Sequence, residues 1–208
     1  MRKTGPVNDF APTPHGASAA EVLVRPAEPG DAARVARLLT LRGTSVEESR
    51  EQAHRMISSL PVLLLALLPA AEAASEEGPA HGQVAGPGDL DDDLLAPVAL
   101  SGAFPLPERM RASLPEPGSG AEDAWMVSGL VIDPVARRGG VGRVLLTAVA
   151  EAVNALRPAA DLYSVVNATN HASVGLHLLV GFERLARLGG FGAVTFEDGQ
   201  GVLLRRAG

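Results

Sequence analysis

The segment that most constrains this chain is a glycine-rich turn, Asp133-Pro-Val-Ala-Arg137-Arg138-Gly139-Gly140-Val141-Gly142-Arg143. It follows the strand-like run Trp125–Ile132 and precedes a helix pattern in which Val141, Leu145, Ala148, Val149, Ala152 and Leu156 share a face and Pro158 ends the run. A strand handed to a helix through such a turn reads as part of an α/β domain. Glycines lack the Cβ that would hold a phosphate off the backbone, and they accept dihedral angles that aim successive N–H groups inward. The helix start contributes unpaired N–H groups and the positive end of its dipole. Arg137, Arg138 and Arg143 add positive charge. Such a turn suits a pyrophosphate; the alternative is a glycine-rich connector with no ligand.

Several ligand classes fall away. A Walker A loop needs a lysine after its second glycine, and the only lysine is Lys3. A dinucleotide fingerprint starting at Gly140 and Gly142 fails at its third glycine, where Leu145 stands. With no cysteine there are no disulfides, thiolate metal sites or cysteine nucleophiles. Neither a zincin motif nor a G-x-S-x-G elbow occurs, and His15 and His81 lack partners at metal spacing, so no metal is expected. A net charge of −6 and 3% aromatic residues argue against a nucleic-acid partner.

That negative charge belongs to one stretch. Residues 69–97 hold seven acids (Glu72, Glu76, Glu77, Asp89, Asp91, Asp92, Asp93) and no Lys or Arg, whereas the rest has 18 basic and 17 acidic residues. We read 69–97 as a mobile acidic insertion at a hairpin tip, a solvated loop in the first instance and an attractor of cationic amines as the alternative. The longest apolar run, Leu60–Ala71, contains Pro61 and Pro69 and is shorter than the ~20 residues of a membrane span. Prolines at 6, 12 and 14 break any targeting pattern near the N-terminus, so no membrane partner and a cytoplasmic location are expected.

Residues 1–20, rich in Pro, Ala, Gly and Ser, read as a flexible leader, and 21–208 as a single domain. Strands are expected at Glu21–Arg25, Val62–Leu68, Pro97–Phe104, Asp161–Asn167, Glu183–Leu188 and Gly201–Arg206 besides Trp125–Ile132. Asp31 is the expected cap of a first helix, and Ser45 with Glu48 forms a capping box for a second. Residues 105–123 form a Pro-rich loop with one short helix around Glu108–Leu114, and Asn170 caps a helix that ends at Val180-Gly181.

Three motifs, in order, carry a family resemblance. Arg137-x-x-Gly140-x-Gly142 after Val131-Ile132-Asp133-Pro134 resembles the acyl-CoA signature of the GNAT superfamily of N-acetyltransferases. Asn170-x-x-Ser173-x-x-Leu176-His177 followed by Gly181-Phe182 is similar to that family's closing pattern, Asn-x-x-Ala-x-x-Leu-Tyr and Gly-Phe. Val24-Arg25-Pro26-Ala27 with Gly30-Asp31 resembles its first strand and helix. The resemblance covers roughly residues 21–206 and implies a GNAT fold, with a mixed, mostly antiparallel sheet of about six or seven strands splayed at its centre and about four flanking helices.

The resemblance also implies a function: transfer of an acetyl or short acyl group from acetyl-CoA to an amine acceptor, both bound together. Leu130, Val131 and Ile132 would offer backbone groups to pantetheine. Arg137, Arg138, Gly139, Gly140, Val141, Gly142 and Arg143 would surround the pyrophosphate, and Asn170 would reach the pantetheine arm or simply cap its helix. An N–H near Ile132 would serve the developing oxyanion. His177 stands where relatives carry a tyrosine acid; its alternatives are protonation of the leaving thiolate and a packing role. Glu122 and Asp123 are candidate bases, with water as the alternative. A homodimer paired through the last strands is a family habit, and a non-catalytic acyl-CoA-binding regulatory module is the alternative function.

Overall fold

Val62–Leu68 has no polar residue, so it needs apolar neighbours on both faces, and only an interior strand supplies them. In the computed structural model, which describes residues 22–70, 95–115, 123–192, 194–196 and 199–208, this run is β2 (Val62–Pro69), buried along almost its whole length. It lies between β1 (Leu23–Pro26) and β3 (Leu95–Pro105), antiparallel to both. β4 (Trp125–Ile132) extends the sheet antiparallel to β3, and β5 (Leu162–Asn167) follows it in parallel. β6 (Glu183–Leu188) and β9 (Gly201–Arg206) complete seven strands in the order β1-β2-β3-β4-β5-β9-β6. A separate two-stranded ribbon, β7 (Gly190–Phe191) with β8 (Val194–Thr195), lies outside that sheet. The result is the expected α/β architecture with a mixed, mostly antiparallel sheet.

Helices cover both faces. α1 (Ala32–Thr40) and α2 (Val46–Ser59) lie on one, with Val35, Leu38, Leu39 and Ala53 buried against Leu63, Leu65, Leu67, Leu100 and Val131. α4 (Val141–Leu156) lies on the other, burying Val141, Leu145, Leu146, Val149 and Val153 against Val62, Leu64, Ala66 and Val98. Each such aliphatic side chain contributes about 2 kcal/mol by leaving water. α5 (His171–Leu179) packs beside α4, and α3 (Glu108–Arg111) is a single turn. Among the described residues there are thus five α-helices, in line with the expected number of about four, the short one falling within the expected Glu108–Leu114.

The Ser45–Glu48 capping box forms as read: Ser45 Oγ accepts from the Glu48 N–H, and the Glu48 carboxylate accepts from the Ser45 N–H. Asp31 differs from expectation. It holds the N-cap position of α1, but its side chain makes no hydrogen bond to that helix; it accepts two from Arg25 at 2.6 and 2.8 Å and one from the Glu28 N–H, which closes a capping box on the 3-10 turn Pro29–Asp31. The Arg25 guanidinium holds its carboxyl below the usual range although burial opposes this.

The limits expected for the acidic insertion are too wide. Pro69 pairs with Leu95, Leu68 with Ala96 and Leu67 with Pro97, so these residues belong to the β2–β3 ladder. Apolar Leu95 and Ala96 extend β3 beyond the Pro97 at which the sequence reading began it. Residues 71–94, the leader 1–20 and residues 116–122 of the Pro-rich loop lie outside the described residues. Among the described residues no helix is long and apolar enough to cross a membrane.

Candidate acyl-CoA site

β4 and β5 begin as neighbours and then part. Trp125 pairs with Leu162 and Met126 with Tyr163, and no pair follows, although β4 runs on to Ile132 and β5 to Asn167. A β-bulge re-aims β4 at this point. Gly102 of β3 faces Gly129 while Ala103 faces Val127, which leaves Ser128 as the extra residue. Gly129 has φ +124°, a conformation open to glycine and strained for other residues. The Ser128 hydroxyl is buried here with no hydrogen-bond partner among the described residues.

The register decides which backbone groups face the gap. The Asp133 N–H donates to Val98 C=O at 2.8 Å, and Ile132 lies opposite Ala99. Ile132 and Ala99 are therefore a non-hydrogen-bonded pair, and the N–H and C=O of Ile132 point away from β3, toward β5. Alternation gives Leu130 the same orientation. It turns Val131 back into the β3 ladder opposite Leu100, so of the three residues expected to offer backbone groups, Val131 does not face the gap.

The glycine-rich turn follows directly. Asp133 accepts from the Val135 N–H and from Arg37 of α1 at 2.7 Å, and Arg37 also donates to Pro97 C=O, which ties the turn's base to α1 and β3. Arg137 Nε reaches back to Ile132 C=O at 3.4 Å. Arg138 has φ +69° and Gly140 φ +82°. From Arg138 to Gly142, five successive N–H groups meet no acceptor among the described residues, because α4 begins only at Val141 and its first internal bonds come from Arg143 and Val144 to Gly140 C=O. The first turn of α4 holds no acid, and Arg143 stands there instead, against the helix dipole. A cation at a helix N-terminus and unpaired amides each cost stability alone, and each is relieved by a polyanion. The residues present thus fit a pyrophosphate.

Gly142 is where the two main motifs meet. A methyl group there would stand 2.6 Å from Ile132 Cδ1 and 3.0 Å from Leu176 Cδ2, so glycine lets β4, α4 and α5 close together. Asn170 Oδ1 accepts from the Ser173 N–H at 3.1 Å, the capping alternative read for it.

His177 is 2% exposed. Its Nδ1 lies 2.8 Å from Ser173 C=O, an acceptor, so Nδ1 carries the proton and donates. Its Nε2 lies 2.9 Å from Ser164 Oγ and, in the neutral ring, accepts from that hydroxyl. Phe182 meets the ring edge-on at 5.0 Å. Burial pushes the imidazole below its usual 6.5, more than the Ser173 carbonyl raises it. The ring is thus held between Ser173, Ser164 and Phe182. Its partner Ser164, which sequence reasoning did not single out, is the first β5 residue beyond the last β4–β5 pair.

Of the two candidate bases, Asp123 is exposed and Glu122 lies outside the described residues; Tyr163 and Trp125, neighbours in the β4–β5 pairing, are buried in the core. His54 and His171 are exposed. Among the described residues no group of three or more His, Cys, Asp or Glu could hold a metal ion.

Comparison with known proteins agrees with this geometry. The profile of the acetyltransferase (GNAT) family matches residues 71–182. The chain belongs to that family. Similar solved structures include a GNAT-family acetyltransferase from Streptococcus pneumoniae (18% identity, 90% of this chain and 99% of that one, TM-score 0.55). A phosphinothricin acetyltransferase from Sinorhizobium meliloti in complex with AcCoA is another (16%, 90% and 88%, TM-score 0.58). Arabidopsis thaliana NAA60 in complex with acetyl-CoA is a third (15%, 89% and 98%, TM-score 0.58). At these identities the likeness is one of fold. No curated protein matches the chain by sequence.

Proposed function

We propose that the protein transfers an acetyl or other short acyl group from acyl-CoA to the primary amine of a small molecule or peptide, by direct attack with both substrates bound. One observation carries the reading: β4–β5 pairing stops at Met126–Tyr163, and the gap leads to the five unpaired amides of Arg138–Gly142. The acetyl-CoA held by two of the similar structures supports the choice of donor. Bound acetyl-CoA would supply the acyl group as an activated thioester.

In this reading the outward backbone groups of Leu130 and Ile132 bind the pantetheine arm. The amides of Arg138, Gly139, Gly140, Val141 and Gly142, with the side chains of Arg138 and Arg143, hold the pyrophosphate. Arg137 braces the turn through Ile132 C=O, and Asn170 fixes the start of α5. The Ile132 N–H donates to the acyl oxygen as charge develops there. His177 is a positioning residue for Ser164, since a buried neutral ring whose Nε2 accepts a hydrogen bond has no proton to give there. Water removes the amine proton, because no described carboxylate stands on β4.

The test is release of CoA thiol from acetyl-CoA across a panel of amines. Amine-dependent release is expected. Coenzyme A binding with no turnover on any amine would overturn the transferase reading in favour of a non-catalytic acyl-CoA-binding module.

A further inference from the structure

The gap between β4 and β5 has two mouths. The pyrophosphate turn opens on the face covered by α4, where Leu130 and Ile132 pack. The other mouth lies on the face of α1 and α2, where Val131 packs, and an acceptor amine would enter there. Alternation along β4 puts Gly129, two residues before Val131, on that second face. A methyl group on Gly129 would stand 3.4 Å from Arg42 Nη1 and 3.8 Å from both Cζ and Nη2, so the Arg42 guanidinium lies against bare backbone at the gap's edge.

Arg42 follows α1 in sequence, and its exposed guanidinium meets no carboxylate among the described residues. The preceding arginines differ: Arg34 pairs with Asp31 and Arg37 with Asp133. We propose that Arg42 is a specificity-determining residue that binds a carboxylate carried by the acceptor, so that the preferred acceptors are amines of the amino-acid type. A guanidinium fork matches a carboxylate with two parallel hydrogen bonds, and Gly129, lacking a side chain, leaves the space beside it open. This inference rests on the transferase reading and deepens it.

The experiment compares amino acids with the amines left by removing their carboxylate, using CoA-thiol release for wild type, Arg42→Ala and Arg42→Lys. The wild type is expected to favour the amino acid of each pair. R42A should lower kcat/KM for amino acids by about 30-fold, the worth of a charged hydrogen bond. It should leave the decarboxylated amines and the affinity for coenzyme A unchanged, with R42K between. Normal turnover with a preference for the decarboxylated amines, or an equal loss on both members, would overturn the assignment of Arg42 alone. No turnover by the wild type on any amine would instead overturn the transferase reading beneath it.

Discussion

At the scale of single residues, two histidine ring nitrogens decide between chemistry and packing. Burial holds the His177 pKa below the usual 6.5, so the folded chain binds fewer protons than the unfolded chain as pH falls past that value. Its contribution to stability is complete above the unfolded pKa and is lost as pH falls through the folded one. Thermal melting between pH 8 and pH 5 should therefore show a steeper acid loss of Tm in wild type than in His177→Gln. The kcat–pH profiles of the two should have the same shape. Disappearance of a titrating limb in the variant would make His177 a proton donor after all. The sequence pattern located this residue without its role, because Ser164 lies on another element and only folding brings it to Nε2. Asp31 shows the same limit. Capping boxes such as Ser45–Glu48 close over three residues and are legible locally, whereas Arg25, which engages the Asp31 carboxylate, arrives from β1.

At the scale of elements, hydrophobic period and punctuation placed most strands and the long helices within a residue or two. Trp125–Ile132 and Val141–Leu156 end where Asp133-Pro134 and the residues before Pro158 signal it. The parting of β4 from β5 was legible only through resemblance, because pairing is a relation between strands and Ser128-Gly129 gives no periodic sign of a bulge. The short β7–β8 ribbon was missed for a similar reason: two-residue strands carry no alternation. Gly102, opposite the bulge, tests this packing. A methyl group there would collide with the backbone carbonyl of Val62, which cannot swing aside. Gly102→Ala should cost about 2 kcal/mol, read as a Tm lowered by roughly 5 °C. An unchanged Tm would mean that β2 and β3 are less closely apposed than described.

At the scale of the whole molecule, the sheet separates two tasks: α4 and its turn on one face, α1 and α2 on the other. β2 and β3 are paired at Pro69 and Leu95, the described residues that flank the acidic segment. Replacing residues 71–94 by a short glycine–serine linker should change stability by about 1 kcal/mol or less, because loop closure depends only weakly on length. The KM for a cationic amine should also stay constant. A rise in KM would assign those acids to acceptor binding. The turn itself is tested most directly by calorimetric titration of coenzyme A and of pantetheine into wild type and an Arg138→Ala/Arg143→Ala double variant. The account predicts that the double variant loses about tenfold or more in affinity for coenzyme A, with pantetheine, which has no pyrophosphate, unaffected. No heat from coenzyme A with the wild type, or equal affinity in both proteins, would contradict it.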